Sequence, residues 1–227
     1  MPPDVPALAR QYSAYLFDLD GTLVDTAPDI NAALNAALLS GGYPAVEESL
    51  TRHWVGHGSR VLLEQALTHH GAPEQISDEP SMARLLRTFI DYYTAHIADS
   101  SRPYPGVVVA LHTLKSRGAR LAVVTNKLTG LSTQLLEALH LDDCFMALVC
   151  GDTLPQHKPD PEPARHACRL LDVATSDALF VGDSITDVET ARAAGCPVVC
   201  VRDGYNHGTP ATELGADAVI DSLIQLL

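Results

Sequence analysis

Two aspartates stand directly after a short apolar run near the start of the chain. Tyr15–Phe17 is typical of a buried parallel strand. Asp18 and Asp20 follow it, separated by one residue, and Thr22 adds a hydroxyl beside them. Ligands of open α/β sheets bind beyond the carboxyl ends of the strands. Two acids this close are costly unless a cation or a proton neutralises one of them, so the spacing predicts a divalent metal site with a nucleophile.

Further polar side chains follow later apolar runs in the same way. Thr125 and Asn126 come after a second predicted strand, and Lys158 lies in a loop before a helix. Asp183 comes after the fourth strand, with Asp187 one helical turn beyond it. In a parallel sheet these positions converge on one edge. The set fits phosphoryl transfer through an aspartyl-phosphate, in which one acid attacks, a second moves the proton and others hold Mg²⁺.

The elements that must position these residues alternate between helix and strand from Tyr104 onward. Apolar runs predict the later strands, which cover 121–125, 147–149, 178–181, 198–201 and 218–220. Helical periodicity occupies the segments between them. This alternation predicts an α/β fold, a doubly wound, Rossmann-like parallel sheet with helices on both faces.

The stretch from 26 to 100 has helical periodicity only. It is predicted to be an all-helical domain inserted into a core that comprises 1–25 and 101–227. Its first helix is expected to be capped by Asp25 or Thr26 and ended by Gly41. The following helices are predicted over 46–54, 59–70 and 81–97.

The bulk composition excludes several classes of protein. The chain has 227 residues, 46% of them hydrophobic, which is enough for a substantial core. A formal net charge of −13 argues against a nucleic-acid partner, although a small anion can bind where a metal and local cations outweigh that charge. The sequence has no signal-peptide pattern, no membrane-length apolar run and no metal-ligand spacing among its five cysteines. A cytoplasmic protein with reduced thiols and no membrane partner is therefore expected.

The candidate residues resemble the motifs of the haloacid dehalogenase superfamily of phosphatases, and the resemblance covers nearly the whole chain. The first motif, Asp-x-Asp-Gly-Thr, corresponds to residues 18–22. The threonine that ends a strand corresponds to Thr125, and the lysine before a helix corresponds to Lys158. The last motif, Gly-Asp-Ser-x-x-Asp, corresponds to residues 182–187. Four motifs in this order are a specific match.

This resemblance implies a role for each residue. Asp18 would be the nucleophile and Asp20 the general acid and base. Asp18, the backbone carbonyl of Asp20 and Asp183 would hold Mg²⁺, while Asp187 behind them would tether the active-site lysine or a metal-bound water. The phosphate-binding residues would be Thr125, Asn126 and Lys158, with Asn126 acting through its backbone amide.

The helical insertion is similar to the cap that such enzymes close over a substrate. Within the superfamily the chain most resembles the bacterial phosphoglycolate phosphatases, in the runs 53–58, 125–127, 151–156 and 204–208. Members of that family often carry Asn where this chain has His57. The resemblance implies that Gly56, His57 and Gly58 form a cap loop reaching a small anionic phosphomonoester, 2-phosphoglycolate. The candidates for contacting its carboxylate are Arg52, His53 and His57.

Other functions compete with this interpretation. A phosphatase for other sugar phosphates or a hexose-phosphate mutase would use the same aspartyl-phosphate, and the cap would decide between them. A haloacid dehalogenase needs no acid at the position of Asp20, and a phosphonate-cleaving enzyme needs a cap lysine, which the insertion lacks. A phospho-acceptor signalling domain would be about half this length. The sequence is compatible with either a monomer or a homodimer.

Overall fold

The computed structural model describes residues 10–227, and residues 1–9 of the predicted core lie outside that range. The strands in chain order are β1 (Ala14–Phe17), β2 (Val24–Asp25), β3 (Arg102–Pro103), β4 (Arg120–Val124), β5 (Ala147–Val149), β6 (Ala178–Gly182), β7 (Val198–Val201) and β8 (Ala218–Ile220). One sheet of six parallel strands has the order β5-β4-β1-β6-β7-β8. The predicted α/β fold with a parallel sheet is confirmed.

Strand β1 lies in the middle of this sheet. Phe17 is aligned with Val123 of β4 on one side and with Val181 of β6 on the other. Tyr15 and Phe17 pack into the core on one face of the sheet, and Leu16 packs into the core on the opposite face. Because both faces are covered, the strand is apolar throughout rather than alternating. The acids that follow β1 therefore emerge at the middle of the carboxyl edge.

Helices lie on both faces of the sheet and in one separate group. They are α1 (Ala27–Ser40), α2 (Glu48–Trp54), α3 (Ser59–His69), α4 (Glu79–Ala95), α5 (Val107–Ser116), α6 (Thr129–Ala138), α7 (Glu162–Leu170) and α8 (Ile185–Ala194). Helices α5 and α6 contribute to one core of the sheet, and α7 and α8 contribute to the other. Short 3₁₀ turns occupy Pro73–Ile76, Asp142–Cys144, Thr175–Asp177, Ala211–Glu213 and Leu223–Leu226.

Helices α1–α4, residues 27–95, form what we call the helical block. Their apolar faces enclose a third core around Leu34, Leu63 and Phe89. Leu131 of α6 and Tyr205 of the loop after β7 belong to the same cluster, so this core also joins the block to the sheet. Every helix within residues 10–227 is too short or too polar to cross a membrane.

Strands β2 and β3 form a two-stranded antiparallel ribbon that the sequence did not predict. Val24 is aligned with Pro103, and Asp25 with Arg102. Two residues are too few to show an alternating pattern, and proline is depleted in strands. The ribbon brings together the points where the chain leaves the sheet and returns to it, so it forms the base of the helical block.

The start of α1 differs from the sequence expectation. Thr26 does occupy the N-cap position, but its hydroxyl makes no capping hydrogen bond. The hydroxyl of Tyr205 instead accepts hydrogen bonds from the N–H groups of Thr26 and Ala27 at 2.8 and 2.9 Å, and it donates to Asp25 at 2.6 Å. A side chain from a distant loop therefore satisfies the helix end, which no local sequence pattern encodes.

Candidate active site

The loops that follow β1 and β4 line a cavity of about 450 Å³. Asp18, Asp20, Thr125, Asn126 and Lys158 all line it, together with a loop of the helical block that comprises Gly56, His57 and Gly58. Asp183 and Asp187 are buried beneath its wall. The structure thus brings the residues of the four motifs and the loop from Gly56 to Gly58 into or against one cavity between the sheet and the helical block.

Asp18 is the acid at the end of the central strand. Its backbone N–H continues the sheet by donating to the carbonyl of Val181 at 2.9 Å, which fixes where the side chain points. The ammonium of Lys158 lies 2.8 Å from Oδ1. Burial raises the pKa of the Asp18 carboxyl to about 7, and the neighbouring acids add to this while Lys158 opposes it. A carboxylate here needs a second cation to stay ionised.

Asp183 is held rigidly on both of its oxygens. Thr22 donates its hydroxyl to Oδ1 at 2.6 Å, and the backbone N–H of Tyr205 donates to Oδ2 at 2.6 Å. Two glycines permit this packing: a Cβ at Gly21 would lie 2.5 Å from Oδ2, and a Cβ at Gly204 would lie 2.1 Å from the Asp183 Cβ. Because φ at Gly21 is +90°, the turn after Asp20 also favours glycine.

Asp187 lies behind the other acids, and its oxygens are fully engaged by protein donors. Oδ1 accepts from Lys158 at 2.7 Å. Oδ2 accepts from the N–H groups of Asp183 and Ser184, both at 3.1 Å, and from the Ser184 hydroxyl at 2.8 Å. It forms a capping box with Ser184 at the start of α8. The position fits a residue that orients Lys158 and the loop of Asp183.

The acids at this edge carry more negative charge than the protein neutralises. Oxygens of Asp18, Asp183 and Asp187 lie within 4.8 Å of one another. Lys158 is the cation that contacts this group, bonded to Asp18 and Asp187. Burial opposes its charge, but these two carboxylates outweigh that effect and raise the Lys158 pKa. A buried set of oxygen donors with excess negative charge fits a hard divalent cation such as Mg²⁺.

The carboxylate of Asp20 lies outside this cluster and faces the interior of the cavity. Lys127 donates to both of its oxygens, at 3.0 and 3.2 Å. The same ammonium donates to the hydroxyl of Tyr93 on α4 at 2.7 Å. Sequence reasoning did not assign a role to Lys127 or Tyr93. Lys127 does follow Thr125 and Asn126 at a strand end, whereas Tyr93 gave no signal because it belongs to the apolar stripe of its helix.

Asn126 connects the two loops that flank the cavity. Its amide donates to the carbonyls of Gly56 and Lys158, both at 3.1 Å, and its side-chain oxygen accepts from the Lys158 N–H at 3.0 Å. The side chain is therefore occupied by backbone groups. This leaves only the backbone amide of Asn126 for the predicted phosphate contact.

The loop from Gly56 to Gly58 reaches the cavity from the helical block. Both glycines have positive φ, +129° and +88°, which other residues rarely adopt. His57 lines the cavity, and its ring stacks on His207 with a centroid separation of 5.0 Å. Burial lowers the His57 pKa, with His207 and Lys158 adding to the effect. These effects disfavour the charged form of His57.

The other two candidates for a carboxylate contact lie outside the cavity lining. Arg52 is paired with Asp25 at 2.9 Å and with Glu48 at 2.8 Å. His53 is exposed and packs edge-on against His207, with a centroid separation of 6.3 Å. In this structure neither side chain offers a charge to a molecule in the cavity.

The fold and this acidic site define a class of protein. The chain belongs to the haloacid dehalogenase-like hydrolase family, whose model matches residues 15–201. It is similar to the phosphoglycolate phosphatases of Thiobacillus denitrificans, at 40% identity over 93% of this chain and 92% of that protein, and of Caulobacter vibrioides, at 45% over 92% and 87%.

A solved structure has the same overall fold. It is that of a predicted phosphoglycolate phosphatase from Haemophilus somnus, which superposes with a TM-score of 0.89 at 35% identity and covers 94% of this chain and 96% of that one. The resemblance to phosphoglycolate phosphatases expected from the sequence motifs is confirmed by these matches.

Proposed function

We propose that this protein is a Mg²⁺-dependent phosphatase that hydrolyses a small phosphomonoester, 2-phosphoglycolate, to glycolate and phosphate. The observation that carries the proposal is the contact of Asp18 with Lys158 at 2.8 Å, in a cavity also lined by Asp20 and Thr125. A nucleophile, a proton donor and two groups that bind phosphoryl oxygens are then within reach of one substrate. The names of the relatives support the choice of substrate.

In the first step the free oxygen of Asp18 attacks phosphorus, and the bond to the leaving oxygen breaks. Asp20 gives its proton to that oxygen, so glycolate leaves and an aspartyl-phosphate forms. Lys158 and the Thr125 hydroxyl bind the phosphoryl oxygens as negative charge spreads over them. In the second step Asp20 takes a proton from water, whose oxygen attacks phosphorus and releases phosphate from Asp18.

The metal belongs to the same proposal. Asp18, Asp183 and the backbone carbonyl of Asp20 would hold Mg²⁺, which when bound neutralises charge on the phosphoryl oxygens. The excess of buried carboxylates over cations in the cluster supports this role. The bonds of Thr22 and Tyr205 to Asp183 keep that carboxylate oriented before a metal binds.

We further propose that residues 26–100 act as a cap over a core of 1–25 and 101–227. The β2–β3 ribbon is a narrow base, and the cavity is lined from both sides. A cavity of about 450 Å³ suits a small phosphomonoester better than a macromolecule. We place the protein in the cytoplasm, where its five free cysteines would stay reduced.

The first experiment measures phosphate release from a panel of phosphomonoesters with Mg²⁺ and with EDTA. The panel contains 2-phosphoglycolate, glucose 1-phosphate, glucose 6-phosphate, phosphoserine and an aryl phosphate. Metal-dependent release that is fastest with 2-phosphoglycolate is the expected result. Interconversion of hexose phosphates without release would instead favour a mutase, and a stable phosphoprotein would favour a signalling domain.

Two variants test the assignment of the acids. Asp18→Asn should abolish turnover, because an amide does not form the acyl-phosphate; substantial residual activity with bound metal would show that Asp18 is not the nucleophile. Asp20→Asn should slow 2-phosphoglycolate about 10²- to 10⁴-fold and an aryl phosphate much less, because a phenolate leaves without a proton. Equal losses on the two substrates would contradict the role of Asp20.

A further inference from the structure

Lys127 is a buried cation that the mechanism above does not use. Its side chain is 5% exposed and lines the cavity. Its ammonium lies between Asp20 of the core and Tyr93 of the helical block, with hydrogen bonds to both. The ammonium also lies 4.4 Å from the centre of the Tyr93 ring, a distance at which the ring face attracts a cation. Because burying a charged lysine is costly in free energy, its position beside Asp20 suggests a function for Lys127.

The other basic groups along the cavity are less suited to binding a second anion. Lys158 contacts two carboxylates, Asp18 and Asp187, and in the proposed mechanism it binds the phosphoryl oxygens. Arg60 is 45% exposed and pairs with Glu64 and Glu79. His57 and His157 are both exposed. Among the basic residues within 10–227 that line the cavity, Lys127 is therefore the one that is both buried and next to Asp20.

We propose that Lys127 is the specificity-determining residue, and that it binds a carboxylate on the carbon next to the ester oxygen of the substrate. The inference rests on the proposed function, in which Asp20 protonates that ester oxygen. Lys127 Nζ is 3.0 Å from Asp20 Oδ1, so a group that contacts Asp20 brings its nearest neighbours within reach of the ammonium. In a 2-phosphoglycolate-like molecule, one carbon separates the ester oxygen from the carboxylate.

Tyr93 completes the carboxylate site from the helical block. Its hydroxyl oxygen accepts from Lys127, which leaves its own proton to donate to the second oxygen of the substrate carboxylate. The cavity lining also contains apolar side chains, among them Ile30, Leu62, Phe89 and Leu131. These side chains offer no hydrogen-bond partners to the hydroxyl groups of a sugar. The site therefore favours small α-phosphonooxy carboxylates over sugar phosphates.

Turnover of two matched substrates tests this assignment. 2-Phosphoglycolate and 2-hydroxyethyl phosphate have alkoxide leaving groups of similar size and differ in the carboxylate. Both need the proton of Asp20, so any disturbance of Asp20 cancels in the ratio of their kcat/KM values. Lys127→Met should lower that ratio about 10- to 100-fold, the value of one hydrogen bond between charged groups. Lys115→Met, at an exposed lysine of α5, is the control and should leave the ratio unchanged.

Two further variants separate charge from shape. Lys127→Arg keeps the charge and should retain part of the preference for the carboxylate. Tyr93→Phe keeps the ring under the ammonium and should lower the same ratio about 10-fold or more, because the hydrogen bond from the hydroxyl to the charged carboxylate is lost. A ratio that Lys127→Met leaves within twofold of the wild-type value would overturn the proposal, provided that the variant melts as cooperatively as the wild type.

Binding of unreactive analogues decides the point without turnover. With Mg²⁺ present, calorimetry should show tighter binding of 3-phosphonopropionate, in which a CH₂ group replaces the ester oxygen, than of propylphosphonate to the wild type, and the difference should disappear in Lys127→Met. Equal affinity of the wild type for both analogues would overturn the carboxylate site. If the wild type hydrolyses both esters equally, the inference about Lys127 is wrong but the proposed phosphatase activity stands. If it hydrolyses no ester, the proposed function is wrong, and the role of Lys127 is then tested by calorimetry alone.

Discussion

Replacement of Asp187 by Asn separates the contribution of this acid to the stability of the fold from its contribution to metal binding. The carboxylate accepts three bonds on Oδ2, from Asp183 and Ser184, and one on Oδ1, from Lys158. In the variant, the amide oxygen can stay toward the three donors. The amide NH₂ group then takes the place of Oδ1, which lies 2.7 Å from the Lys158 ammonium in the wild type. The cheapest arrangement therefore loses the bond to Lys158 and one negative charge.

When no metal is bound and the pH is high enough for Asp18 and Asp183 to be ionised, the charge terms nearly cancel. At an effective dielectric constant of about 20, attraction to Lys158 at 2.7 Å is about 6 kcal/mol. Repulsion from Asp18 and from Asp183, at the 4.8 Å limit of the cluster, is about 3.5 kcal/mol each. The variant should therefore differ from the wild type by no more than about 2 kcal/mol in EDTA, the value of the lost hydrogen bond.

With Mg²⁺ bound, the divalent cation outweighs the repulsion among the acids. Removal of the negative charge of Asp187 then weakens metal binding. Loss of a residue behind the metal ligands typically weakens metal binding about 10- to 100-fold. That corresponds to about 1.4–2.8 kcal/mol, or a reduction of about 3–11 °C in the stabilisation by saturating Mg²⁺ of a chain of this size.

The assay is thermal unfolding of the wild type and Asp187→Asn, each in EDTA and in saturating Mg²⁺. Asp203→Asn, at an exposed acid, is the matched control and should match the wild type in both buffers. An equal loss of melting temperature in EDTA and in Mg²⁺ would refute the reasoning, because Asp187 would then contribute to the fold and not to the metal site.

Two further substitutions test the packing that supports the site. Gly204→Ala sets a methyl carbon 2.1 Å from the Cβ of Asp183, so urea unfolding should show that the free energy of unfolding falls by about 1–3 kcal/mol or more. The control is Gly130→Ala on α6, whose added methyl group meets nothing within 4 Å and should be neutral or stabilising. A loss below about 0.5 kcal/mol for Gly204→Ala would contradict the clash. Tyr205→Phe leaves two buried N–H groups at the start of α1 without a partner and should cost about 2–4 kcal/mol, against almost nothing for the exposed Tyr92→Phe; similar losses for the two tyrosines would argue against the hydroxyl as the cause.

Local patterns were sufficient for the helices, for the strands of the parallel sheet and for placing the acidic residues at one edge of that sheet. The helix predicted over 59–70 is observed as Ser59–His69, because helical periodicity and a glycine on each side define it. Asp18 and Asp183 could be placed at one edge because each follows an apolar parallel strand. The predicted helix at 81–97 is seen as Glu79–Ala95, a shift of two residues at each end.

Contacts between distant parts of the chain were beyond sequence reasoning. Lys127 meets Asp20 across 107 residues, and Tyr205 meets Asp25 across 180. The sequence spacing of neither pair predicts the contact, because each contact depends on how two loops come together after the sheet has formed. The same holds for the β2–β3 ribbon, whose halves are too short to be recognised separately.

The position of β1 in the sheet has a consequence for the order in which the protein acquires its structure. Ala14 is made early, but its neighbours in the sheet are Arg120 and Ala178. Contacts within residues 27–95 can form while the rest of the chain is still being synthesised, whereas the long loops that close around β1 carry a larger entropic cost. Asp18 and Asp183 therefore meet only after β6 has left the ribosome, whereas the residues of helices α1–α4 are available to one another much earlier in synthesis.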